Sequence, residues 1–386
     1  MRHGAVLSLM AVPVLYAGCK DSTAPVAGPL TGSLLVTTVT VGDTLDWDGY
    51  TVTLNDTTTA VVPINGGILL SGLEAGDHSV ELTDVQVNCQ VSGANRQSVS
   101  ITAGDTAQLS FGLNCVVALF NHIAFHSNRD GNFDIYVMLA DGSGHTNLTN
   151  HLAQDAEPAF SPSGSHIAFT SNRDGNREIY VMDVDGSKLK NLTNNPAEDR
   201  YPAWSPDGSQ IAFVSNRDGN DEIYVMGADG SNLWNLTNNS ALDIEPAWSP
   251  DGMQILFISN RDAGYPRAVF VMDDDGENPR RLVENLMWNG GPDWSPDGTM
   301  LAYHTGEHTY EIYVKEFESG KVLTRTSFEG EAVHPAWSPD GSRIAFALGW
   351  EPEVPDVYVM RADGSDLRNL TNAAGWDGMP TWSPTR

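Results

Sequence analysis

The sequence predicts an all-β protein, namely a six-bladed β-propeller preceded by a small β-sandwich domain. Among its 386 residues are 37 glycines and 21 prolines, a composition that suits many tight turns and few helices. The tripeptide Ile-Ala-Phe, or a variant of it, recurs about every 44 residues, which is typical of propeller blades. Its six copies begin at Ile123, Ile167, Ile211, Ile255, Leu301 and Ile344.

The first nineteen residues have the layout of a secretory signal peptide. Arg2 precedes an apolar run from Ala5 to Leu15, which is shorter than the roughly 20 residues that a membrane-spanning helix needs. The run ends in Ala17-Gly18-Cys19, which resembles a bacterial lipobox and implies lipidation of Cys19. Tyr16 departs from that motif, so cleavage by an ordinary signal peptidase stays open. By the same resemblance, Lys20 favours the outer membrane.

Residues 20–32 are rich in Ala, Pro, Gly, Ser and Thr and predict a flexible tether. Residues 33–117 predict the β-sandwich, because short β-branched or alternating runs are separated by turn clusters. This stretch resembles the PEGA-like and carboxypeptidase-regulatory-like accessory domains of surface proteins. The runs are Leu34–Val41, Tyr50–Leu54, Ala60–Ile64, His78–Leu82, Ser98–Ile101 and Gln108–Leu113.

The three cysteines fit export. If Cys19 carries lipid, Cys89 and Cys115 remain as a pair, and an oxidising compartment would allow them to form a disulfide. A buried pair of free thiols is the alternative.

Residues 118–386 predict the propeller. A full repeat contains Pro-Ala-Trp-Ser-Pro-Asp-Gly, the Ile-Ala-Phe strand, a Ser-Asn-Arg-Asp-Gly turn, an Ile-Tyr-Val-Met strand and Asn-Leu-Thr, which makes four strands. The first copy lacks its Trp-Ser strand, and a spare Trp382-Ser383 follows the sixth copy. We therefore expect the last strand to complete the first blade and leave no open sheet edge.

The segments Trp204–Gly208, Ile211–Phe213 and Ile223–Met226 and their counterparts resemble the repeats of TolB-type propellers. The resemblance implies a protein-interaction scaffold in the cell envelope, monomeric and without catalytic activity. Such repeats also occur in sugar-acid lyases, which hold a metal in the channel on histidines. A carbohydrate-binding or lyase-like propeller is therefore the alternative function. The pairs His304/His308 and His122/His126 fall in predicted strands or turns, where their spacing does not bring the rings together.

A candidate binding ring lies where each innermost strand begins, at the mouth of the channel. Four carboxylates and an amide there could hold a divalent cation or a basic peptide segment, and Glu157, Glu245 and His334 would add to the same rim. The alternative is that each side chain caps its own loop. The arginines of the Asn-Arg-Asp-Gly turns are expected to pair with neighbouring acids. The ring residues are Asp155, Asp199, Asp243, Asn289 and Asp377.

The net charge of −29 makes nucleic-acid binding improbable, because phosphate backbones are repelled. The same charge favours basic partners, or serves solubility alone. No Gly-x-Ser-x-Gly elbow, phosphate loop or His-Glu-x-x-His motif occurs, so the sequence predicts a binding module with no cofactor other than a possible divalent cation.

Overall fold

The computed structural model describes residues 31–41, 50–83, 85, 89–115, 119–262, 267–283, 288–307, 309–349 and 354–385. Every regular element within these ranges is a β-strand, which confirms the all-β prediction. Cys19, the signal peptide and nearly all of the tether lie outside the described residues. No helix in the described part of the chain is long and apolar enough to cross a membrane.

Two four-stranded sheets form the N-terminal domain. One has the order β4-β1-β8-β6 and the other β3-β2-β5-β7, and all pairings are antiparallel except that of β1 with β8. Side chains alternate between the core and the outer face, as in β1, where Leu34 and Val36 are fully buried. The strands are β1 Thr31–Val41, β2 Tyr50–Leu54, β3 Thr58–Val62, β4 Gly67–Glu74, β5 Gly76–Thr83, β6 Cys89–Val91, β7 Arg96–Ile101 and β8 Thr106–Cys115.

Each of the six predicted sandwich strands overlaps an observed one. Strands β4 and β6 were not predicted. Gly67 and Gly72 interrupt the pattern of β4, and Gly72 has a positive φ of 77°, so this segment resembles a turn when read from sequence alone. Strand β6 has only three residues and is too short to show a period.

Six four-stranded sheets follow, one for each sequence repeat. We number the blades from the one that contains β9. The middle strands are buried on both faces because each is covered by the neighbouring blades, and this explains their continuous apolar runs. The second to sixth blades comprise β12 Asp155–Phe160, β13 His166–Ser171, β14 Glu178–Asp183 and β15 Lys190–Asn191; β16 Asp199–Trp204, β17 Gln210–Ser215, β18 Glu222–Gly227 and β19 Trp234–Asn235; β20 Asp243–Trp248, β21 Gln254–Ser259, β22 Ala268–Asp273 and β23 Arg280–Arg281; β24 Trp288–Trp294, β25 Met300–Gly306, β26 Glu311–Glu316 and β27 Val322–Arg325; and β28 Glu331–Trp337, β29 Arg343–Gly349, β30 Asp356–Arg361 and β31 Arg368–Asn369.

The first blade is completed by the far end of the chain, as predicted. It contains β9 His122–Ser127, β10 Asp134–Leu139, β11 Thr146–Asn147 and, as its innermost strand, β32 Asp377–Trp382. Strand β32 pairs with β9 in antiparallel orientation. In addition, the backbone N–H of His122 donates to the Ser383 hydroxyl at 2.8 Å. The Trp382 indole N–H donates to the Ala336 carbonyl of the sixth blade at 3.1 Å. These contacts close the ring.

The cysteines of the sandwich generate a prediction. Cys89 is buried and disulfide-bonded, and its Cα partner across β6 and β8 is Cys115. We expect peptide mapping of the non-reduced protein to join these two residues. Closing a loop of this size stabilises a domain by about 3 kcal/mol, so reduction should lower the unfolding midpoint. Two titratable thiols in the denatured, non-reduced protein would contradict this pairing.

Candidate functional site at the propeller channel

The innermost strand of every blade contains a β-bulge at its third or fourth residue, and this bulge shapes the channel. The residue at the bulge precedes a proline and has φ between 49° and 57°, a left-handed conformation that is uncommon outside glycine. The six residues form a ring, one per blade, which we call the bulge ring. They are Glu157, Tyr201, Glu245, Gly291, His334 and Met379.

The bulge ring lines a central cavity of about 370 Å³. The bulge ring and the second residue after each of its members are partly exposed, whereas the intervening prolines are buried. The channel wall therefore consists of two layers of side chains. The second layer is Ala159, Ala203, Ala247, Asp293, Ala336 and Thr381.

Side chains of one blade accept backbone N–H groups from the bulge ring of the next blade. A bulge leaves such a group without its ladder partner, and a buried N–H needs an acceptor. A Glu157 carboxylate oxygen accepts from Tyr201 at 2.8 Å, and one of Glu245 accepts from Gly291 at 2.5 Å. The imidazole Nδ1 atoms of His126 and His304 accept from Glu157 and His334, each at 3.3 Å. The polar groups at the channel thus also join the blades.

The four predicted ring aspartates lie at the starts of innermost strands, with side chains that are fully covered. Each pairs with the arginine of its own blade's Asn-Arg-Asp-Gly turn, so these arginines are paired with neighbouring acids, as expected. The guanidinium–carboxylate pairs are Arg129–Asp377 at 2.8 Å, Arg173–Asp155 at 2.9 Å, Arg217–Asp199 at 3.1 Å and Arg261–Asp243 at 2.9 Å.

Every one of these arginines also stacks on aromatic rings of its blade. Arg217, for example, lies 5.6 Å from the centre of the Phe213 ring and 4.7 Å from that of Tyr224. The fifth blade has Asn289 in place of the aspartate, and the Asn289 side-chain amide donates to the Arg267 carbonyl at 2.7 Å. Ligand contact by the five predicted ring residues stays a prediction. The groups that face the cavity lie two residues further along each strand.

Two members of the bulge ring, Glu157 and Glu245, carry carboxyl groups, and arginines lie near both. Burial raises the pKa of Glu157 and of Glu245 above the usual range. Arg177 and Arg200 oppose this rise in the pKa of Glu157, and Arg267 and Arg200 oppose it in that of Glu245. The mouth is therefore a mixed surface of acids and arginines, and it differs from the mainly acidic ring that the sequence suggested.

Asp293 is a channel residue that the sequence reasoning missed. It occupies the second layer, where the other blades carry alanine or threonine, and it turns Pro-Ala-Trp into Pro-Asp-Trp. Its carboxylate accepts the Trp337 backbone N–H at 2.7 Å. Burial raises the pKa of Asp293 to about 7, and no basic side chain of the described residues counteracts this. Comparing the six repeats with one another would have revealed the departure.

Three histidines lie on one side of the channel, in the first, fifth and sixth blades. The ring centres of His304 and His334 are 5.1 Å apart. Burial lowers the pKa of His126 to about 3 and that of His334 to about 4, and lowers the pKa of His304 strongly, so all three are neutral at pH 7. Within the described ranges, no group of three or more His, Cys, Asp or Glu side chains is placed to hold a metal ion. His308 lies outside those ranges.

Glycines opposite His126 and His304 make room for the imidazoles. Gly378 pairs with His126 and Gly290 with His304, at corresponding positions of the first and fifth blades. A Cβ atom on Gly290 would lie 2.5 Å from Cε1 of His304, well inside van der Waals contact. The other four blades have no histidine and no glycine at these positions, so each histidine and its glycine form a unit. Their pairs are Thr170 with Ala156, Val214 with Arg200, Ile258 with Ile244 and Ala347 with Val333.

The sequence matches the family model described as PD40, the TolB beta propeller domain, over residues 120–201, 193–268 and 263–386. These ranges span well over half of the chain. The chain belongs to this TolB beta propeller family. No curated protein sequence matches the chain significantly.

Solved structures show the same propeller fold in proteins of low sequence identity. TolB from Acinetobacter baumannii has a TM-score of 0.60 at 24% identity, over 68% of this chain and 67% of that chain. A putative TolB from Agrobacterium tumefaciens has 0.55 at 21%, over 68% and 92%. A chain of the nidogen/laminin complex has 0.56 at 13%, over 67% and 97%.

A first prediction for this propeller concerns the buried ion pairs. Arg217→Ala leaves the Asp199 carboxylate without its cation in a fully covered position, which should cost about 3–5 kcal/mol of unfolding free energy. The double variant Asp199→Ala with Arg217→Ala should recover part of that loss. Urea unfolding measures both. As a control, Arg368→Ala removes an arginine from an exposed pair and should cost about 1 kcal/mol or less. Equal losses in Arg217→Ala and Arg368→Ala would contradict a structural role for the buried pair.

A second prediction concerns Asp293 and pH. The pKa of this carboxyl is raised in the folded state, so the folded protein holds a proton between about pH 4 and 7 that the unfolded chain has released. The wild-type protein should therefore lose stability relative to Asp293→Ala as pH rises through this window, by at most about 4 kcal/mol. Urea unfolding at intervals from pH 4 to 8 measures the difference. A difference between the two proteins that does not change with pH would count against the raised pKa.

Proposed function

We propose that this chain is an exported, non-enzymatic binding module of the cell envelope, and that its propeller mouth binds a protein partner. Membership of the TolB beta propeller family supports a protein-interaction scaffold at the level of the family. The Cys19 motif supports a lipid anchor, with the outer membrane preferred, and the sandwich would space the propeller from that membrane. Fractionation tests the anchor, because Cys19→Ser should move the protein from the membrane to the soluble fraction.

The composition of the channel mouth is the observation that carries the proposal. Aromatic residues, methionine and arginine are enriched in the energetically dominant parts of protein interfaces. Tyr201 and Met379 line the cavity and are partly exposed. Further partly exposed residues of these types adjoin the channel groups. They are Arg200 and Arg267 near Glu245, Phe133 and Trp376 against His126, and Tyr310 against His304.

The arrangement of these groups favours a semi-rigid docking surface. Arg200 is fixed by Asp221, whose carboxylate lies 2.5 Å from its guanidinium. Trp376 packs against His126, with ring centres 4.8 Å apart, and stands edge-on to Phe133 at 5.5 Å. Aromatic side chains held in this way lose little conformational entropy when a partner binds. The mixed charges of the mouth suit a partner surface that carries both basic and acidic groups.

A carbohydrate ligand is the second candidate function. His126 is only 5% exposed, its imidazole packs against Trp376, and its Nε2 atom is enclosed without a hydrogen-bond partner in the described structure. Aromatic faces beside neutral polar groups are suited to the apolar faces and hydroxyls of sugars. Titration with neutral and acidic oligosaccharides, followed by tryptophan fluorescence, tests this candidate. A saturable change that Trp376→Phe abolishes would support it.

Site-specific photocrosslinking tests the protein-binding proposal. A photoreactive amino acid at position 376 should yield a discrete adduct in living cells. Tyr201→Ala should reduce that adduct at least tenfold, because removing a central interface aromatic commonly costs more than 1.4 kcal/mol. The same probe at position 189, on the exposed outer edge of the second blade, serves as the control.

An adduct from position 376 that Tyr201→Ala removes and Leu367→Ala leaves intact supports binding at the mouth. Leu367 lies on the outer edge of the sixth blade and is 41% exposed. Adducts of equal yield from positions 376 and 189, or none from position 376, would overturn the proposal.

A further inference from the structure

The two outer faces of the N-terminal β-sandwich differ in charge. On the first sheet, the outward-facing residues of β1 from Ser33 to Val41 and their partners on β4 and β8 carry no charge. We call this area the uncharged face. The outer side of the second sheet carries Arg96, whose guanidinium lies 2.7 Å from the Asp56 carboxylate and 3.5 Å from that of Glu81. One side of the domain is therefore charged and the other is not.

Aliphatic side chains project from the uncharged face. Val39, Val41 and Leu69 are 54%, 57% and 56% exposed, and the partly exposed Leu35 lies opposite Leu69. The other outward-facing residues are small or neutral and polar. A group of exposed aliphatic side chains marks a contact surface. In a chain with 50 acidic residues, this face can approach a partner that repels acids.

The size of the uncharged face argues against a second copy of the chain as its partner. Three strands about 4.8 Å apart and about 30 Å long cover about 400 Å². A stable protein dimer buries about 800 Å² on each partner. The face is therefore about half as large as a dimer interface needs. A lipid surface imposes no such minimum on a chain that is already anchored to it.

The central strand of the uncharged face lies close to Cys19 in the chain. Only residues 20–30 separate Cys19 from Thr31, where β1 begins. A fully extended segment of this length spans at most about 40 Å. Lipid on Cys19 would therefore keep the face within this distance of the bilayer. A tether of this kind gives an effective concentration of about 1 mM, so that even a weak contact forms.

We propose that the uncharged face docks on the phospholipid surface to which the chain is anchored. This inference deepens the proposed function and rests on its lipid anchor. The aliphatic side chains would enter the boundary between headgroups and acyl chains, where apolar burial stabilises the contact. The negative surface potential of anionic lipids repels acidic surfaces, and the uncharged face carries no acid. The side with Arg96, Asp56 and Glu81 would face water.

Fluorescence quenching by brominated lipid tests the docking. An N-terminal histidine tag replaces the lipid and tethers the mature chain to vesicles of phosphatidylethanolamine and phosphatidylglycerol that contain a nickel-chelating lipid. An environment-sensitive fluorescent amino acid stands at position 108, on the uncharged face, or at position 59, exposed on the second sheet, as the control. Vesicles with and without bromine on the acyl chains are compared.

Bromine should lower the fluorescence at position 108 by roughly half, because a contact with a dissociation constant near 1 mM is about half formed at this effective concentration. The fluorescence at position 59 should not change. Val39→Glu with Leu69→Glu should abolish the quenching, since carboxylates resist transfer from water. Val39→Ser with Leu69→Ser removes the apolar groups without adding charge and should also reduce it. Val61→Glu, at a 61% exposed position of the second sheet, should leave it unchanged.

The docking is overturned if bromine quenches positions 108 and 59 equally, if it quenches neither, or if both double variants behave as the wild type does. Sedimentation of the untethered chain tests the other occupant. A dimer that Val39→Glu with Leu69→Glu dissociates would assign the face to a second copy and overturn the proposal. The histidine tag makes these results independent of lipidation, so a failure of the anchor is seen only in the fractionation of Cys19→Ser.

Discussion

The bulge in each innermost strand is the constraint on which the channel depends. It forces the residue before each proline into a left-handed conformation, and this residue and the one two positions later then face the cavity. It also frees a backbone N–H that a side chain of the preceding blade accepts in four of the six blades, as seen in the described structure. Chemistry at the channel and cohesion between blades therefore use the same residues, and a change of one alters the other.

The buried arginine–aspartate pairs hold the innermost strands in place beside the channel. They fix the start of the innermost strand to the turn of the same blade in blades one to four, and their aromatic stacking orients the guanidinium groups. The fifth and sixth blades lack these pairs, with Asn289 and Ala332 in place of the aspartates. The departures from the repeat therefore cluster on one side of the ring. Gly291, Asp293, His304 and His334 all lie in these two blades.

Most of the fold could be predicted from the sequence because the same pattern of strands and turns occurs in six copies. The Ile-Ala-Phe and Ile-Tyr-Val-Met strands, the turns and the closing strand ending in Trp382 all follow from the spacing of a few residue types. The residues of the candidate site were harder to predict from the sequence. The repeat drew attention to Asp155, Asp199 and Asp243, which occupy the same position in three blades. A residue repeated in this way serves the packing of each blade. Asp293 stands in one blade only, at a position where the other blades have alanine or threonine, so a search for repeated residues does not find it. The bulge itself could not be predicted, because a left-handed residue before proline runs against the preferences of both positions.

The closing strand has a consequence for how this protein reaches its working form. Strand β32 is the last propeller strand in chain order, yet it forms the inner wall of the first blade. If the chain crosses a membrane from its N-terminus, the first blade stays without its inner strand until residues 377–382 have arrived. Until then the cavity lacks the part of its wall that β32 forms, which includes Met379, and the ring of six blades is open. In that case, the ring of six blades is closed only when the last propeller strand has crossed.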